Sequence, residues 1–252
     1  MLRKKNVIVL GMARSGTSLA ASILARKGYF VAASRSDELQ KPNKYNPSGF
    51  WEAHSLIENN VEVLAAVGFK SDNTWFHEAI TQEQASRIAQ LEPQAKHIAF
   101  VEEFNRHSPW LWKDPRLCYT LDYWWPLLDQ EETCVLHVTR DADETFRSFQ
   151  RVADDWHVTV NIEKSTIYRR IDEHRASAQR IIEKYAIPHL TVDYSEYQSA
   201  PESVARGLTD LMGIDICVDD LGFQKNAAEK FESSASQRLK KLLKRLLGRL
   251  PR

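Results

Sequence analysis

One segment near the start of the sequence constrains the fold more than any other. Residues 7–18 read VIVLGMARSGTS, which is four aliphatic residues followed by a turn that contains Gly11 and Gly16. Such an aliphatic run is typical of a strand buried on both faces of a parallel sheet. Leu19, Ala20, Ile23 and Leu24 then fall on one helical face, Arg26 and Lys27 lie in the last turn, and Gly28 is placed to end that helix. A strand, a glycine turn and a helix predict a phosphate-binding loop, because the helix start offers unpaired N–H groups and a favourable dipole.

The residues inside this loop narrow the kind of phosphate that it can bind. The interval from Gly11 to Gly16 is that of a nucleoside-triphosphate P-loop, but Thr17 stands where that loop has its lysine. Arg14 supplies a cation instead, and Ser18 supplies a hydroxyl. Such a loop can hold a phosphate group, but it is poorly equipped for magnesium-assisted transfer of a γ-phosphate. A turn that binds nothing is the alternative, and the sequence RSGTS directly after an aliphatic strand disfavours it.

The rest of the sequence predicts an α/β fold of the P-loop type. Predicted strands alternate with predicted helices, which indicates a three-layer domain with a mainly parallel central sheet flanked by helices. Residues 34–53 show no sustained period and predict a long functional loop. We assign residues 1–232 to this domain and 233–252 to a basic amphipathic tail. The predicted strands cover residues 29–33, 110–113, 133–139 and 189–192, and later helices cover about 54–67, 81–91, 163–185 and 201–212. A further helix is predicted after the strand over 133–139, ending near Val152.

Composition and charge exclude several classes of function. Apolar residues make up 43% of the chain and charged residues 27%, as in an ordinary soluble globular protein. The three cysteines are widely spaced without a C-x-x-C pair, which favours reduced thiols in a cytoplasmic protein over a disulfide or zinc framework. The net charge of zero gives no support for binding to nucleic acid. No apolar run has the length of a membrane-spanning helix.

The tail has a charge pattern of its own. Residues 233–252 contain seven basic residues and no acidic one, so the rest of the chain carries a net charge of −7. On a helix, the leucines of residues 236–252 lie on one side and the cations on the other, which is typical of peripheral contact with the anionic inner face of a membrane. The alternatives are a solvated tail, or leucines that dock on the domain or on another subunit.

A second anion site is indicated where the strand over residues 133–139 runs into a helix. Arg140 follows the carboxyl end of that strand, the edge at which open α/β sheets bind ligands. Ser148 lies eight residues further on, about two helical turns away. A guanidinium and a hydroxyl on the same side can hold one phosphate. The alternative is a surface arginine paired with Asp141 or Asp143.

A third charged turn follows the predicted strand over residues 110–113. It reads Lys113-Asp114-Pro115-Arg116. A cation at this position can stabilise the negative charge that develops on a departing phosphate. An internal ion pair, either Lys113 with Asp114 or Asp114 with Arg116, is the alternative interpretation.

Together these segments resemble the bacterial-type sulfotransferases that use 3′-phosphoadenosine-5′-phosphosulfate (PAPS). In that family a basic residue followed by S-G-T-[ST] holds the 5′-phosphosulfate, and a strand-end arginine with a serine eight residues later holds the 3′-phosphate. The family's downstream G-x-x-G-x-x-K segment is absent, and Phe223-Gln224-Lys225 matches it only loosely. The resemblance assigns two sets of donor-binding residues: Arg14, Ser15, Gly16, Thr17 and Ser18 for the 5′-phosphosulfate, and Arg140 and Ser148 for the 3′-phosphate.

The resemblance also implies catalytic residues. The segment W-L-W-K-D-P-R-L is similar to one in the bacterial-type members and implies that Lys113 assists the leaving group. Several mammalian-type members have a catalytic histidine two residues after this lysine, where this chain has Pro115. Residues 46–52, NPSGFWE, resemble the family's N-P-x-G-[YF]-W-E segment, and a glutamate in this region takes the acceptor proton in glycan-modifying relatives. Glu52 is therefore the candidate base and His54 the reserve, unless Glu52 serves only to stabilise the next helix start.

These assignments predict the transfer of a sulfuryl group from PAPS to a hydroxyl acceptor. Arg14, Glu52 and Lys113 would be catalytic, and no metal is implied. The sequence does not distinguish a carbohydrate, a glycolipid and a small alcohol as acceptor, and it does not specify the oligomeric state. Two alternatives stay open: a small-molecule kinase in which Asp141 holds the metal, and a non-catalytic membrane-peripheral protein that binds nucleotides.

Overall fold

A single parallel sheet forms the centre of the molecule. The computed structural model describes residues 4–32, 38–43, 46, 49–69, 80–153 and 163–222. Their strands pair in the order β2-β1-β3-β4, and each pair is parallel. The carboxyl ends of all four strands therefore lie at one edge of the sheet. The strands are β1 (Asn6–Leu10), β2 (Leu111–Lys113), β3 (Thr133–Thr139) and β4 (His189–Asp193).

Helices connect the strands and cover the sheet. A one-turn 3-10 helix, Trp125–Leu127, directly follows the helix that ends at Trp124. The helices of the described residues are α1 (Thr17–Arg26), α2 (His54–Ala66), α3 (Gln82–Ile88), α4 (Ala95–Asn105), α5 (Leu117–Trp124), α6 (Ala142–Ala153), α7 (Lys164–Lys184), α8 (Glu196–Ser199), α9 (Pro201–Met212) and α10 (Val218–Leu221).

Both faces of the sheet are buried around β1, as its aliphatic sequence predicts. Val7 and Val9 pack on one face with apolar residues of α1 and α9. Ile8 and Leu10 point to the opposite face, where they belong to a core built mainly from α2, α4, α5 and α7. Every residue of β1 is buried for this reason. The predicted three-layer α/β fold with a parallel central sheet is confirmed.

The predicted strand over residues 29–33 is wrong within the described part of the chain. Phe30 makes only an isolated parallel bridge to Trp110. Its ring instead packs on Phe104, at 5.2 Å between ring centroids, and stacks on His107 at 4.2 Å. Tyr29 and Val31 pack in the core on the other face of the sheet, and the backbone pairing of this segment is limited to the hydrogen bonds of Phe30 with Pro109 and Leu111.

Four of the described helices were not predicted from the sequence: α4, α5 and the one-turn helices α8 and α10. All eight residues of α5 are buried, so this helix lacks the polar face that marks an amphipathic helix in a sequence. By contrast, the capping box that predicted α3 is present, with the hydroxyl of Thr81 accepting a hydrogen bond from the Gln84 amide at 3.1 Å.

Two sequence predictions lie outside the described residues: the match over residues 223–225 and the basic amphipathic tail. Among the helices that the structure does describe, none combines the length and the apolar character that crossing a membrane requires.

Candidate active site

The glycine loop lies tightly against the ends of β3 and β4. Gly11 has a φ of 145°, and a Cβ atom there would stand 2.5 Å from the carbonyl oxygen of Val138. Gly16 has a φ of 100°, and its Cβ would stand 2.3 Å from Cδ2 of Tyr194. Both the backbone conformation and the contact distance therefore require glycine at these positions. The loop is held at the carboxyl edge of the sheet.

The start of α1 offers hydrogen-bond donors at this edge. Within the described part of the chain, no group accepts a hydrogen bond from the amides of Gly16, Thr17 or Ser18. The first amides of a helix have no partner inside the helix, and the helix dipole adds positive potential around them. These amides are therefore available to an anion, as the sequence predicts.

Arg14 connects the loop with the second predicted anion site. Its Nε donates a hydrogen bond to Oγ of Ser148 at 3.1 Å, and its carbonyl accepts one from Nη1 of Arg140 at 3.3 Å. Arg14 adopts a left-handed φ of 70°, which costs a non-glycine residue about 1–3 kcal/mol and is concentrated at functional sites. The two predicted anion sites therefore adjoin each other.

Arg140 is held through both its guanidinium and its backbone carbonyl. It lies 4.2 Å from the centroid of the Tyr194 ring, and its Nε donates to Glu144 at 3.0 Å. Arg175 of α7 donates a hydrogen bond to the carbonyl oxygen of Arg140. The ion pair is thus with Glu144, whereas Asp141 accepts a hydrogen bond from the Glu144 amide at 2.9 Å near the start of α6. The alternative pairing with Asp141 or Asp143 is not what the structure shows.

Tyr194 is a site residue that the sequence analysis missed. It directly follows β4, and its ring contacts both the Gly16 turn and Arg140. Its position at the carboxyl end of a predicted strand was the signal that could have identified it. Burial raises the pKa of its hydroxyl, so the ring is neutral at physiological pH.

Lys113 and Glu52 form a buried ion pair beside α1. Lys113 ends β2, and its Nζ donates hydrogen bonds to Oε1 of Glu52 and, at 3.3 Å, to Oγ of Ser18. The side chains of Lys113 and Glu52 are 4% and 11% exposed. Burial raises the pKa of Glu52, and the neighbouring ammonium group of Lys113 opposes this rise. The carboxylate thus contacts Lys113 and does not merely face the start of α2.

Ser18 joins this ion pair to Asn46 and Phe50. Its hydroxyl accepts a hydrogen bond from Nδ2 of Asn46 at 3.0 Å and donates one to the carbonyl of Phe50 at 3.4 Å. Trp51 then takes a left-handed φ of 59° immediately before Glu52. From the sequence, Asn46 has no role beyond its place in the N-P-x-G-[YF]-W-E segment. His54, the reserve base, begins α2 with an exposed side chain.

The charged turn after β2 resolves the two alternatives that the sequence left open. Nη1 of Arg116 donates to Asp114 at 2.9 Å, so the internal pair is Asp114 with Arg116. Lys113 is left to Glu52. No group of three or more histidine, cysteine, aspartate or glutamate side chains in the described ranges is arranged to hold a metal ion.

Comparison with known proteins identifies the family. A model of the sulfotransferase family matches residues 6–220. Among solved structures, the chain is similar to the sulfotransferase domain from the Synechococcus PCC 7002 olefin synthase, with 17% sequence identity, a TM-score of 0.48, and coverage of 90% of this chain and 80% of that one. No curated protein gives a significant match. Because the family match runs from the first residue of β1 to beyond β4 and includes the glycine loop, Lys113 and Arg140, the chain belongs to the sulfotransferase family.

Proposed function

We propose that the protein transfers a sulfuryl group from PAPS to a hydroxyl acceptor. The observation that carries this proposal is the contact of Arg14 with both Arg140 and Ser148. PAPS bears anionic groups at its 5′ and 3′ positions, so it needs two anion sites that open to the same place. A single guanidinium on the surface would not supply them.

The residues present fit such a donor. Arg14 and the amides at the start of α1 would hold the 5′-phosphosulfate, together with the side chains of Ser15, Thr17 and Ser18. Arg140 and Ser148 would hold the 3′-phosphate. The close approach of the loop to Tyr194 explains why glycine stands at position 16. These cations and the helix start can offset the negative charge of the donor, so the proposal involves no metal.

Glu52 and Lys113 would act on the two sides of the reacting sulfur: Glu52 on the acceptor hydroxyl and Lys113 on the departing phosphate. When bound, the donor provides a sulfuryl group that is activated by its bond to a phosphate oxygen. The Glu52 carboxylate would take the proton of the acceptor hydroxyl as the acceptor oxygen bonds to sulfur and the bond from sulfur to the phosphate breaks. Lys113 would stabilise the charge that this phosphate oxygen gains. Because the Lys113 side chain is buried, its attraction for the charge on this oxygen is stronger than it would be in water.

The donor assignment is tested by calorimetric titration with adenosine 3′,5′-bisphosphate, the product that PAPS leaves behind. We expect the wild-type protein to bind it and Arg140→Ala to bind at least about tenfold more weakly, because a charge-assisted phosphate contact is lost. Arg147→Ala is the matched control: it removes the same charge from an exposed position on α6. No binding by the wild type, or equal binding by Arg140→Ala, would overturn the proposal.

Sulfuryl transfer itself is tested with radiolabelled PAPS against mixed glycans, glycolipids and small alcohols. The proposal predicts a labelled hydroxyl compound among the products. A kinase would instead show magnesium-dependent ATP binding, which the absence of a lysine after Gly16 disfavours. A non-catalytic nucleotide-binding protein would bind the bisphosphate without labelling any acceptor.

A further inference from the structure

A second buried carboxylate lies next to the ion pair of Lys113 and Glu52. Asp114 follows Lys113 in the chain and is 1% exposed. Its Oδ1 accepts hydrogen bonds from the amide and from Nη1 of Arg116, at 3.1 and 2.9 Å. Its Oδ2 accepts one from Nδ2 of Asn60 at 2.8 Å. Both oxygens of Asp114 are therefore engaged by groups other than Lys113.

Asn60 is a fully buried residue of α2 that holds this arrangement to α5. Its side-chain oxygen accepts hydrogen bonds from Oγ1 of Thr120 at 2.7 Å and from Nε1 of Trp124 at 2.8 Å. With these two bonds in place, the amide group can direct only its NH2 end to Asp114. The orientation of Asn60 is thus set by α5, and Asn60 sets the orientation of Asp114.

The position of Asp114 decides which carboxylate Lys113 pairs with. Two carboxylates and two cations are buried or half-buried here: Glu52, Asp114, Lys113 and Arg116. An Asp114 side chain without its bond to Asn60 would be a buried anion with an unsatisfied oxygen, and Lys113 is the adjacent cation that could satisfy it. Lys113 would then be shared between Asp114 and Glu52.

We propose that Asn60 is a positioning residue for the reaction: by holding Asp114 on Arg116, it leaves Lys113 to Glu52. This inference rests on the proposed roles of Glu52 and Lys113. The charges that act on Glu52 agree with it, because Lys113 and Arg116 lower its pKa whereas burial and Asp114 raise it. If Lys113 changes its partner, the pKa of Glu52 changes, and a titration of Glu52 measures that change.

The test is a carboxyl NMR titration of Glu52, assigned with Glu52→Gln, in the full chain. We expect Asn60→Leu, which replaces the amide by an apolar group of similar size, to move the Glu52 titration to higher pH, because Lys113 is drawn toward Asp114. Thr120→Val is the matched control. It removes one hydrogen bond to Asn60 and leaves the bond to Asp114 in place, so the titration should stay where the wild type has it.

Asp114→Asn tests the same arrangement from the other direction and serves if Asn60→Leu does not fold. It removes the negative charge that raises the pKa of Glu52, so the titration should move to lower pH. An unchanged titration in Asn60→Leu, equal shifts in Asn60→Leu and Thr120→Val, or an upward shift in Asp114→Asn would overturn the inference.

The activity of these variants separates this inference from the proposed function. With PAPS, Asn60→Leu should lower kcat by about tenfold or more and change the affinity for adenosine 3′,5′-bisphosphate much less, because the contacts among Arg14, Arg140 and Ser148 stay in place. An unchanged kcat would contradict a positioning role. If the wild type itself transfers no sulfuryl group, the proposed function fails, while the NMR titrations still report whether Asn60 controls the partner of Lys113.

Discussion

At the scale of residues, the ion pair of Glu52 and Lys113 carries the most chemistry. Two opposite charges at 11% and 4% exposure have lost most of their hydration, which is costly unless each keeps its partner. The pair also holds Lys113 near Ser18 of the glycine loop. Glu52 is therefore an acidic group whose pKa burial raises, placed beside a cation at the point where the donor loop and β2 meet.

The proposed role of Glu52 as general base predicts that Glu52→Gln loses proton removal and keeps the proposed donor site intact. We expect kcat for sulfuryl transfer to fall by about 10²–10⁴-fold, the usual contribution of a general base, with little change in the affinity for adenosine 3′,5′-bisphosphate. Steady-state kinetics and calorimetry measure the two quantities. Glu58→Gln, on the exposed side of α2, is the control and should retain full kcat. A Glu52→Gln variant with wild-type kcat would remove Glu52 as the base and direct attention to His54.

The glycine at position 16 gives a second residue-scale prediction. Gly16→Ala places a methyl group where the Tyr194 ring lies and keeps a φ that alanine rarely adopts. We expect the affinity for adenosine 3′,5′-bisphosphate to fall by at least about tenfold, because the loop or Tyr194 must move. Gly28→Ala is the control, since its Cβ would meet nothing within 4 Å although its φ is also positive. Equal binding by the two variants would contradict the tight packing of the loop.

At the scale of elements, β3 and α7 each carry a buried histidine. Burial lowers the pKa of His137 in β3, and that of His174 in α7, to about 4. Neither ring nitrogen of His137 has a hydrogen-bond partner in the described structure, and Nε2 of His174 has none either. Both residues therefore fold in the neutral form, and protonation works against the packing of α7 on the sheet and on α5.

The free energy of unfolding should consequently decrease as the pH is lowered. The pKa of these histidines is lower in the folded than in the unfolded chain, so the unfolded chain binds more protons between pH 6.5 and 4. Their stabilisation is complete above pH 6.5 and is lost as the pH falls toward 4, up to about 3 kcal/mol for each histidine. Urea denaturation at pH 7, 6 and 5 measures this loss. His137→Leu should make the free energy of unfolding less dependent on pH. A variant with the same pH dependence as the wild type would contradict the prediction.

The elements also show how far the sequence could be taken. β3 was predicted residue for residue, because its mainly apolar, β-branched sequence lies directly between Glu131-Glu132 and Arg140-Asp141. α5 was not predicted, because a helix buried on all sides has no polar face to reveal its period. The segment at Phe30 was assigned to a strand for its composition, whereas its ring is buried against α4.

At the scale of the whole molecule, charge is distributed unevenly along the chain. Residues 233–252 carry +7 and the rest of the chain −7. The basic residues of the tail can be attracted by the acidic residues of the rest of the chain instead of by the anionic lipids of a membrane. We therefore expect equal recovery in flotation with anionic liposomes for the full chain and for a chain that ends at Ser233. Greater recovery of the full chain would instead support peripheral membrane contact through residues 236–252.

The sequence by itself determined the glycine loop, the strand ends and the residue types that stand there. It could do so because a phosphate loop, a buried strand and a helix start are each specified by residues that are adjacent in the sequence. The tertiary structure alone decided which of those residues meet: Arg140 contacts the carbonyl of Arg14 across 126 positions of sequence, and Lys113 selects Glu52 over its own neighbour Asp114. The reason is physical, since parallel strands bring their carboxyl ends to one edge, whereas the pairing of charges at that edge depends on buried groups, such as Asn60, that no local pattern reveals.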